Sequence, residues 1–337
     1  MRKLVCIPFL LLLLFSCATR YEAHSNRIDF LEKVKIGGMD QYVSIRGDRG
    51  SLPILLWLHG GPGSSQMPLA HEYDHFLEEN FIVVHWDQRG AGKSNPKDFD
   101  VQSMTQERFV RDCHELTGYL QARFPGKPLV LLGHSWGSQL GIQVASLYPS
   151  DYLAYIGVSQ VVDSKRAQLL GEQWLKKKVL EADSSRDMRA LDELGPAPYP
   201  DHDDFVRFIK LVDAYGGGFD TPFTKLAVTA LSSPYYSLKD LGRWIDGSNR
   251  GSGPMWEATQ NFCAMTDVPR LDVPVLFICG KNDYNTPCEL VEGYCQLLTA
   301  PLGKALSKIE GAAHTPFLKE PELFSDTVYE FYLSVLN

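Results

Sequence analysis

No excess of positive charge, no CxxC pair, no internal repeat and no long biased tract occurs in this 337-residue chain, and each absence closes off a class. The formal net charge of -8 argues against nucleic acid as a partner, because phosphate binding needs a cationic face. A composition of 44% hydrophobic and 22% charged residues is that of an ordinary globular protein, long enough to bury a sizeable core without staples. The apolar run over residues 4–15 falls short of the ~20 residues a permanent bilayer-spanning helix needs.

That run instead has the anatomy of a secretory signal: Arg2 and Lys3 precede it, and Leu14-Phe15-Ser16-Cys17 ends it. A small residue before a cysteine at the end of an apolar region resembles the lipobox of bacterial lipoproteins, although Phe15 departs from the usual small or aliphatic residue. The resemblance implies that residues 1–16 are removed, that Cys17 is lipidated, and that residues 17–27 are a tether. The protein is then expected to be exported and held on a bacterial membrane, facing the periplasm or the cell surface, by buried methylenes rather than a spanning helix. Ordinary signal cleavage nearby is the alternative. Of the seven cysteines, Cys6 and Cys17 belong to the signal, leaving Cys113, Cys263, Cys279, Cys288 and Cys295. Export permits a disulfide, but the spacing leaves connectivity open, and most of the five are expected to be core thiols.

Past the signal, residues 28–36 and 42–46 read as two strands split by Gly37-Gly38. Residues 52–58, 81–86, 129–132 and 152–158 are short, nearly continuous apolar runs, as in strands covered on both faces of a parallel sheet. Helical stretches over 105–123 and 138–148 lie between them, implying right-handed βαβ crossovers. From 160 to 267 the pattern changes to short amphipathic segments such as 168–180 and 205–214, broken by runs such as Gly216-Gly217-Gly218. Strands resume at 273–279 and 305–309, and a last helix runs from 321 to the end. The expected organisation is an α/β core over 28–159 and 268–337, with a mostly helical lid over 160–267.

Gly133-His134-Ser135-Trp136-Gly137 follows the 129–132 strand and opens a helix. A bare G-x-S-x-G is a weak signal, but the strand before and helix after supply the context of the nucleophile elbow in an α/β-hydrolase fold. Glycines must flank so tight a turn, and the serine oxygen then sits at a helix N-terminus that favours an anion. Ser135 needs a base, and the base an orienting acid. In this fold the chain order is serine, acid, histidine. Asp283 just past the 273–279 strand and His314 just past the 305–309 strand are the candidates, on the sheet edge where Ser135 also emerges. Asp267 and Asp272 precede their strand and lie at its wrong end. The oxyanion needs two fixed N–H donors. Trp136 is one; Gly61, with Gly60 as fallback, is the other, from His59-Gly60-Gly61-Pro62-Gly63, where Pro62 has no N–H to give.

Together with Asp87-Gln88-Arg89-Gly90-Ala91-Gly92-Lys93-Ser94, these two glycine motifs resemble the proline iminopeptidase family of α/β-hydrolases, in the family's order. The resemblance implies release of an N-terminal residue, often proline, from a peptide, with lid glutamates holding the substrate's ammonium. Glu257 is the one counterpart found for those glutamates. Lid aromatics, from Trp174 to Trp256, offer an apolar slot for a proline ring. No metal or organic cofactor is called for, and the partner is a peptide or small-molecule substrate. An esterase or amidase of the same fold is the first alternative. A zinc protease is another, because His71-Glu72-Tyr73-Asp74-His75 matches H-E-x-x-H; a catalytic zinc, however, needs a third protein ligand, and no later segment announces one. A non-catalytic binding protein on a hydrolase scaffold is the remaining one. Gly90-Ala91-Gly92-Lys93-Ser94 ends like a phosphate loop, but Asp87 stands where the first glycine is required.

Overall fold

A computed structural model describes residues 26–337; the expected signal, Cys17 and most of the tether lie outside the described residues. Among those described, no helix is long and apolar enough to cross a membrane.

Eight strands form one sheet: β1 (Ile28–Ile36), β2 (Met39–Gly47), β3 (Ile54–Leu58), β4 (Ile82–Asp87), β5 (Leu129–His134), β6 (Ala154–Val158), β7 (Val275–Gly280) and β8 (Lys304–Ile309). Their spatial order is β1-β2-β4-β3-β5-β6-β7-β8. The hairpin β1–β2 is antiparallel, and β2 joins β4 antiparallel. From β4 to β8 every pairing is parallel, which requires the crossover helices the sequence announced.

The continuous apolar runs have a direct explanation. In β3, Ile54, Leu56 and Leu58 enter one hydrophobic cluster while Leu55 and Trp57 enter another. In β5, Leu129 and Leu131 divide from Val130 and Leu132 in the same way. Side chains alternate faces with period two, so a sheet packed on both sides makes its central strands mostly apolar, with polar residues such as His85, Asp87 and His134 towards their carboxyl ends. Each such Leu or Ile contributes about 1.5–3 kcal/mol by leaving water.

The helices are α1 (His75–Glu78), α2 (Gln106–Arg123), α3 (Trp136–Leu147), α4 (Ser164–Glu181), α5 (Ser185–Leu194), α6 (His202–Ala214), α7 (Phe223–Leu231), α8 (Leu238–Gly251), α9 (Trp256–Gln260), α10 (Ala264–Asp267), α11 (Cys288–Leu297), α12 (Pro316–Lys319) and α13 (Pro321–Leu336). Helices α4 to α10 sit between β6 and β7 and carry a small cluster of their own, built around Leu175, Tyr199, Phe208 and Val212. Side-chain caps start several of them: Asp163 accepts from Arg166 N, Ser184 from Asp187 N and Asp201 from Asp203 N. Cys279 and Cys288 form a disulfide with Cα atoms 5.6 Å apart, while Cys113 is a buried thiol and Cys263 and Cys295 are free.

Candidate active site

The strand pairings decide what meets at the carboxyl edge of the sheet. Leu58 pairs with Gly133, so the loop after β3 leaves the sheet beside the end of β5. Gly280 pairs with Ile309, so the loops after β7 and β8 emerge side by side. Between β5 and α3 only Ser135 intervenes, held at φ 55° and ψ -126°, a strained region for a residue with a side chain. Two glycines make the turn possible. A Cβ on Gly133 would lie 2.3 Å from Gly137 O, and one on Gly137 would lie 2.1 Å from Leu58 O.

His314 Nε2 lies 2.9 Å from Ser135 Oγ, and His314 Nδ1 lies 2.9 Å from Asp283 Oδ2. Asp283 is in turn held by its own loop. The backbone N–H groups of Asn285 and Thr286 donate to Oδ1 at 2.8 and 2.9 Å, and Thr286 Oγ1 donates to Oδ2 at 2.7 Å. Burial by itself would raise the Asp283 carboxyl, but the adjacent imidazole and the Thr286 donors outweigh it and hold it below the usual range. Burial would lower His314, yet the charge and hydrogen bond of Asp283, helped by Asp213 and Asp220, hold it above its ordinary value. His134 beneath it is pushed down by burial to about 3 and stays neutral. It takes a hydrogen bond from Gln66 Nε2 at 2.8 Å on Nδ1 and gives one to His314 O at 2.8 Å from Nε2.

Gly60, Gly61, Ser135, Trp136 and His314 open onto one cavity of about 870 Å³. Gly60 packs against the serine so closely that a Cβ there would come 3.1 Å from Ser135 Cβ. The Trp136 amide is the first of α3 and has no intrahelical acceptor. The loop carrying Gly61 is pinned at both ends. Gln88 N donates to His59 Nε2 at 3.2 Å, and Ser65 Oγ donates to buried Asp87. Asp87, pushed up by burial to about 6, also accepts from Lys93 N at 2.7 Å and Tyr236 Oη at 2.5 Å. Lys93, at the end of the phosphate-loop look-alike, is committed to Asp240 Oδ2 at 2.7 Å.

The far wall of the cavity comes from the inserted helices. Phe205, Phe208, Phe219, Phe223, Trp244 and Trp256 face it, with the acids Asp163 and Asp213 and the base Lys210. The other aromatics singled out in this segment serve elsewhere: Trp174 stacks on Tyr284 with centroids 4.2 Å apart, and Tyr215 Oη donates to Asp187 at 2.8 Å. Glu257 is a correction. It is exposed and does not line the cavity, because α9 turns Trp256 and Thr259 inward and a single residue step rotates the next side chain ~100° away. Asp213 and Thr286 were not foreseen; an aspartate followed three residues later by threonine, as in Asp283 and Thr286, is the turn signal that was available for the second.

The H-E-x-x-H segment does not form one helix. A 3₁₀ turn covers Ala70–Glu72, and His75 opens a separate short helix. His71 Nε2 bonds Ser232 Oγ at 3.0 Å, and the His75 ring lies against Phe76. Among the described residues no group of three or more His, Cys, Asp or Glu side chains is placed to hold a metal ion.

A mostly parallel sheet with a strained serine turn and an acid and a histidine on the neighbouring loops defines an α/β-hydrolase. The profile of the serine aminopeptidase (S33) family matches residues 52–190. The probable aminopeptidase YbaC of Bacillus subtilis (strain 168) is 33% identical over 305 residues, covering 89% of this chain and 95% of its own length. A proline iminopeptidase of Heyndrickxia coagulans is 26% identical over 300 residues, covering 89% and 96%. In fold the chain is similar to VinJ, with a TM-score of 0.65 at 18% identity over 91% of this chain and 99% of that one. It is also similar to the proline iminopeptidase of Mycobacterium smegmatis, with a TM-score of 0.60 at 17% identity over 91% and 98%. This chain belongs to the serine aminopeptidase (S33) family and is a serine hydrolase.

Proposed function

We propose that the protein releases a single N-terminal residue, proline among the candidates, from short peptides, with Ser135 as nucleophile. The observation that carries this reading is the unbroken array from Asp283 through His314 to Ser135, with both links at 2.9 Å, at the mouth of a cavity of about 870 Å³. His314 removes the Ser135 proton as the oxygen attacks the scissile carbonyl, and the amides of Gly61 and Trp136 receive the developing oxyanion. Asp283 keeps the Nδ1–H pointed at itself, so that Nε2 is free to act as base. The protonated imidazole then gives its proton to the leaving amine, and water repeats the sequence on the acyl-enzyme.

An aminopeptidase must also hold an ammonium in a partly dry space, which requires a fixed carboxylate. Asp213 suits that role better than Glu257. It faces the cavity and one oxygen is fixed by Phe219 N at 3.1 Å; burial raises its carboxyl, and a bound ammonium would oppose that rise by favouring the anion. A second reading, an esterase or amidase with an uncharged substrate, draws support from Lys210, a cation on the same wall as Asp213.

Proline naphthylamide and a short-chain nitrophenyl ester, assayed side by side on the purified protein, separate the two. Faster amide turnover supports the aminopeptidase, and ester turnover alone overturns it. Ser135→Ala is expected to abolish both activities and labelling by a serine-directed phosphonate; residual labelling at wild-type rate would remove Ser135 from the mechanism.

A further inference from the structure

The inserted segment does more than wall the cavity: its backbone and one carboxylate also touch the loops of the reaction machinery. Between α6 and α7 the chain runs as a strap, Gly217-Gly218-Phe219-Asp220, across the two loops that carry Asp283 and His314. Tyr284 N donates to Gly217 O at 2.8 Å, and His314 N donates to Gly218 O at 2.8 Å. The strap ends in a carboxylate that grips the backbone on either side of the histidine. Ala313 N donates to Asp220 Oδ1 at 2.7 Å, and Thr315 N donates to Oδ2 at 2.9 Å. Thr315 Oγ1 closes the ring, accepting from Asp220 N at 3.1 Å and donating to Oδ2 at 3.2 Å.

We propose that Asp220 is a positioning residue: its carboxylate fixes the peptide planes flanking His314 and so sets the imidazole between Asp283 and Ser135. The inserted segment is thereby part of the triad's framework. The contacts are charge-assisted and paired, the strongest class of hydrogen bond available to a loop, and they satisfy amides that no strand or helix ladder serves. A loop free to move by about 1 Å would cost ~10²-fold in rate. Asp220 also faces His314 electrostatically, together with Asp283 from the loop after β7 and Asp213 from α6; neutral His134 approaches from the end of β5.

The proposal rests on His314 acting as the base, and its test reads the triad whatever the natural acyl donor. In Asp220→Ala, kcat for nitrophenyl ester and for aminoacyl naphthylamide should fall together by about 10–100-fold, with KM nearly unchanged and the phosphonate labelling rate reduced by the same factor. Removing a negative charge lowers the imidazolium pKa, so the acidic limb of kcat/KM should move to lower pH. Asp220→Asn keeps one acceptor and should recover part of kcat while showing the same shift of the limb. Thermal melting of both variants establishes that folded protein is being measured; if the alanine variant does not fold, the asparagine variant carries the test through the limb alone. A folded variant with parental kcat and an unmoved limb overturns the proposal, as does a loss confined to KM. If His314→Ala retained full activity, it would be the reading of the base that failed.

Discussion

Every residue of β3, β4 and β5 is buried, whereas α8 in the inserted segment buries only Asp240, Leu241, Gly247 and Gly251 and leaves Leu238 and Ile245 exposed. The two regions are held by different proportions of apolar burial and directed contact. Central strands are fixed by apolar burial on both faces, which is strong and non-directional. The inserted segment adds a few apolar residues to the core clusters, among them Leu226, Ala230, Tyr236 and Leu241, and is docked besides by directed contacts onto the core's loops: Lys93 to Asp240 at 2.7 Å, Trp244 Nε1 to Ser65 O at 2.7 Å, and the Asp220 ring. Backbone also meets backbone there. A Cβ on Gly251 would lie 2.4 Å from Pro62 O, and one on Gly63 would lie 2.2 Å from Gly247 O, so α8 rests directly on the loop that carries Gly61. The lesson is a division of labour in which the core supplies the sheet and the loops of Ser135, Asp283 and His314, while the insert supplies the cavity's far wall and the strap that grips the loop of His314.

That division can be broken or sharpened by substitution. Asp283→Asn should leave the fold intact and reduce kcat by about 10⁴-fold, since the histidine then settles in the wrong tautomer; equal turnover on any substrate would show that another acid serves. Leu56→Ala, on a fully buried strand position, should cost about 2–5 kcal/mol in urea unfolding while kcat of the remaining folded enzyme stays unchanged. A marked loss of turnover without loss of stability would contradict the division. Asp213→Asn should raise KM for aminoacyl naphthylamides by about 10–100-fold, the worth of one charge-assisted hydrogen bond at ~1.5–3 kcal/mol, and leave ester hydrolysis nearly untouched above the acidic limb. An equal effect on both substrates would move Asp213 from substrate recognition into the chemistry.

The same contrast explains what could be read in advance. Strands buried on both faces announce themselves as unbroken apolar runs, as in β3 and β5, and the largely exposed edge strand over residues 28–36 also has the bounds read for it. The serine turn was legible because its geometry demands glycine at 133 and 137. The loops of Asp283 and His314 were legible because a parallel sheet sends every strand's carboxyl end to one edge. In the insert, Gly216-Gly217-Gly218 marked a break but not what the break would touch, since the partners of Gly217 and Gly218 lie far along the chain at Tyr284 and His314. Glu257 comes from the family resemblance, as a counterpart of the lid glutamates, and a short helix turns it outward. The disulfide was equally invisible, because Cys279 and Cys288 meet only once the loop bearing Asp283 has folded back.

The insert leaves and rejoins the core through one doorway. Asp163 and Cys263 pair as an isolated bridge, Ser164 N bonds Phe262 O at 3.5 Å and Ala264 N bonds Val162 O at 2.6 Å. A long excursion that starts and finishes at neighbouring points lets β6 and β7 pair directly, with the sheet in register across the interruption. Transplanting such a module onto another core would require a matching doorstep, a seat for the carboxylate at its midpoint and a loop on which α8 can rest.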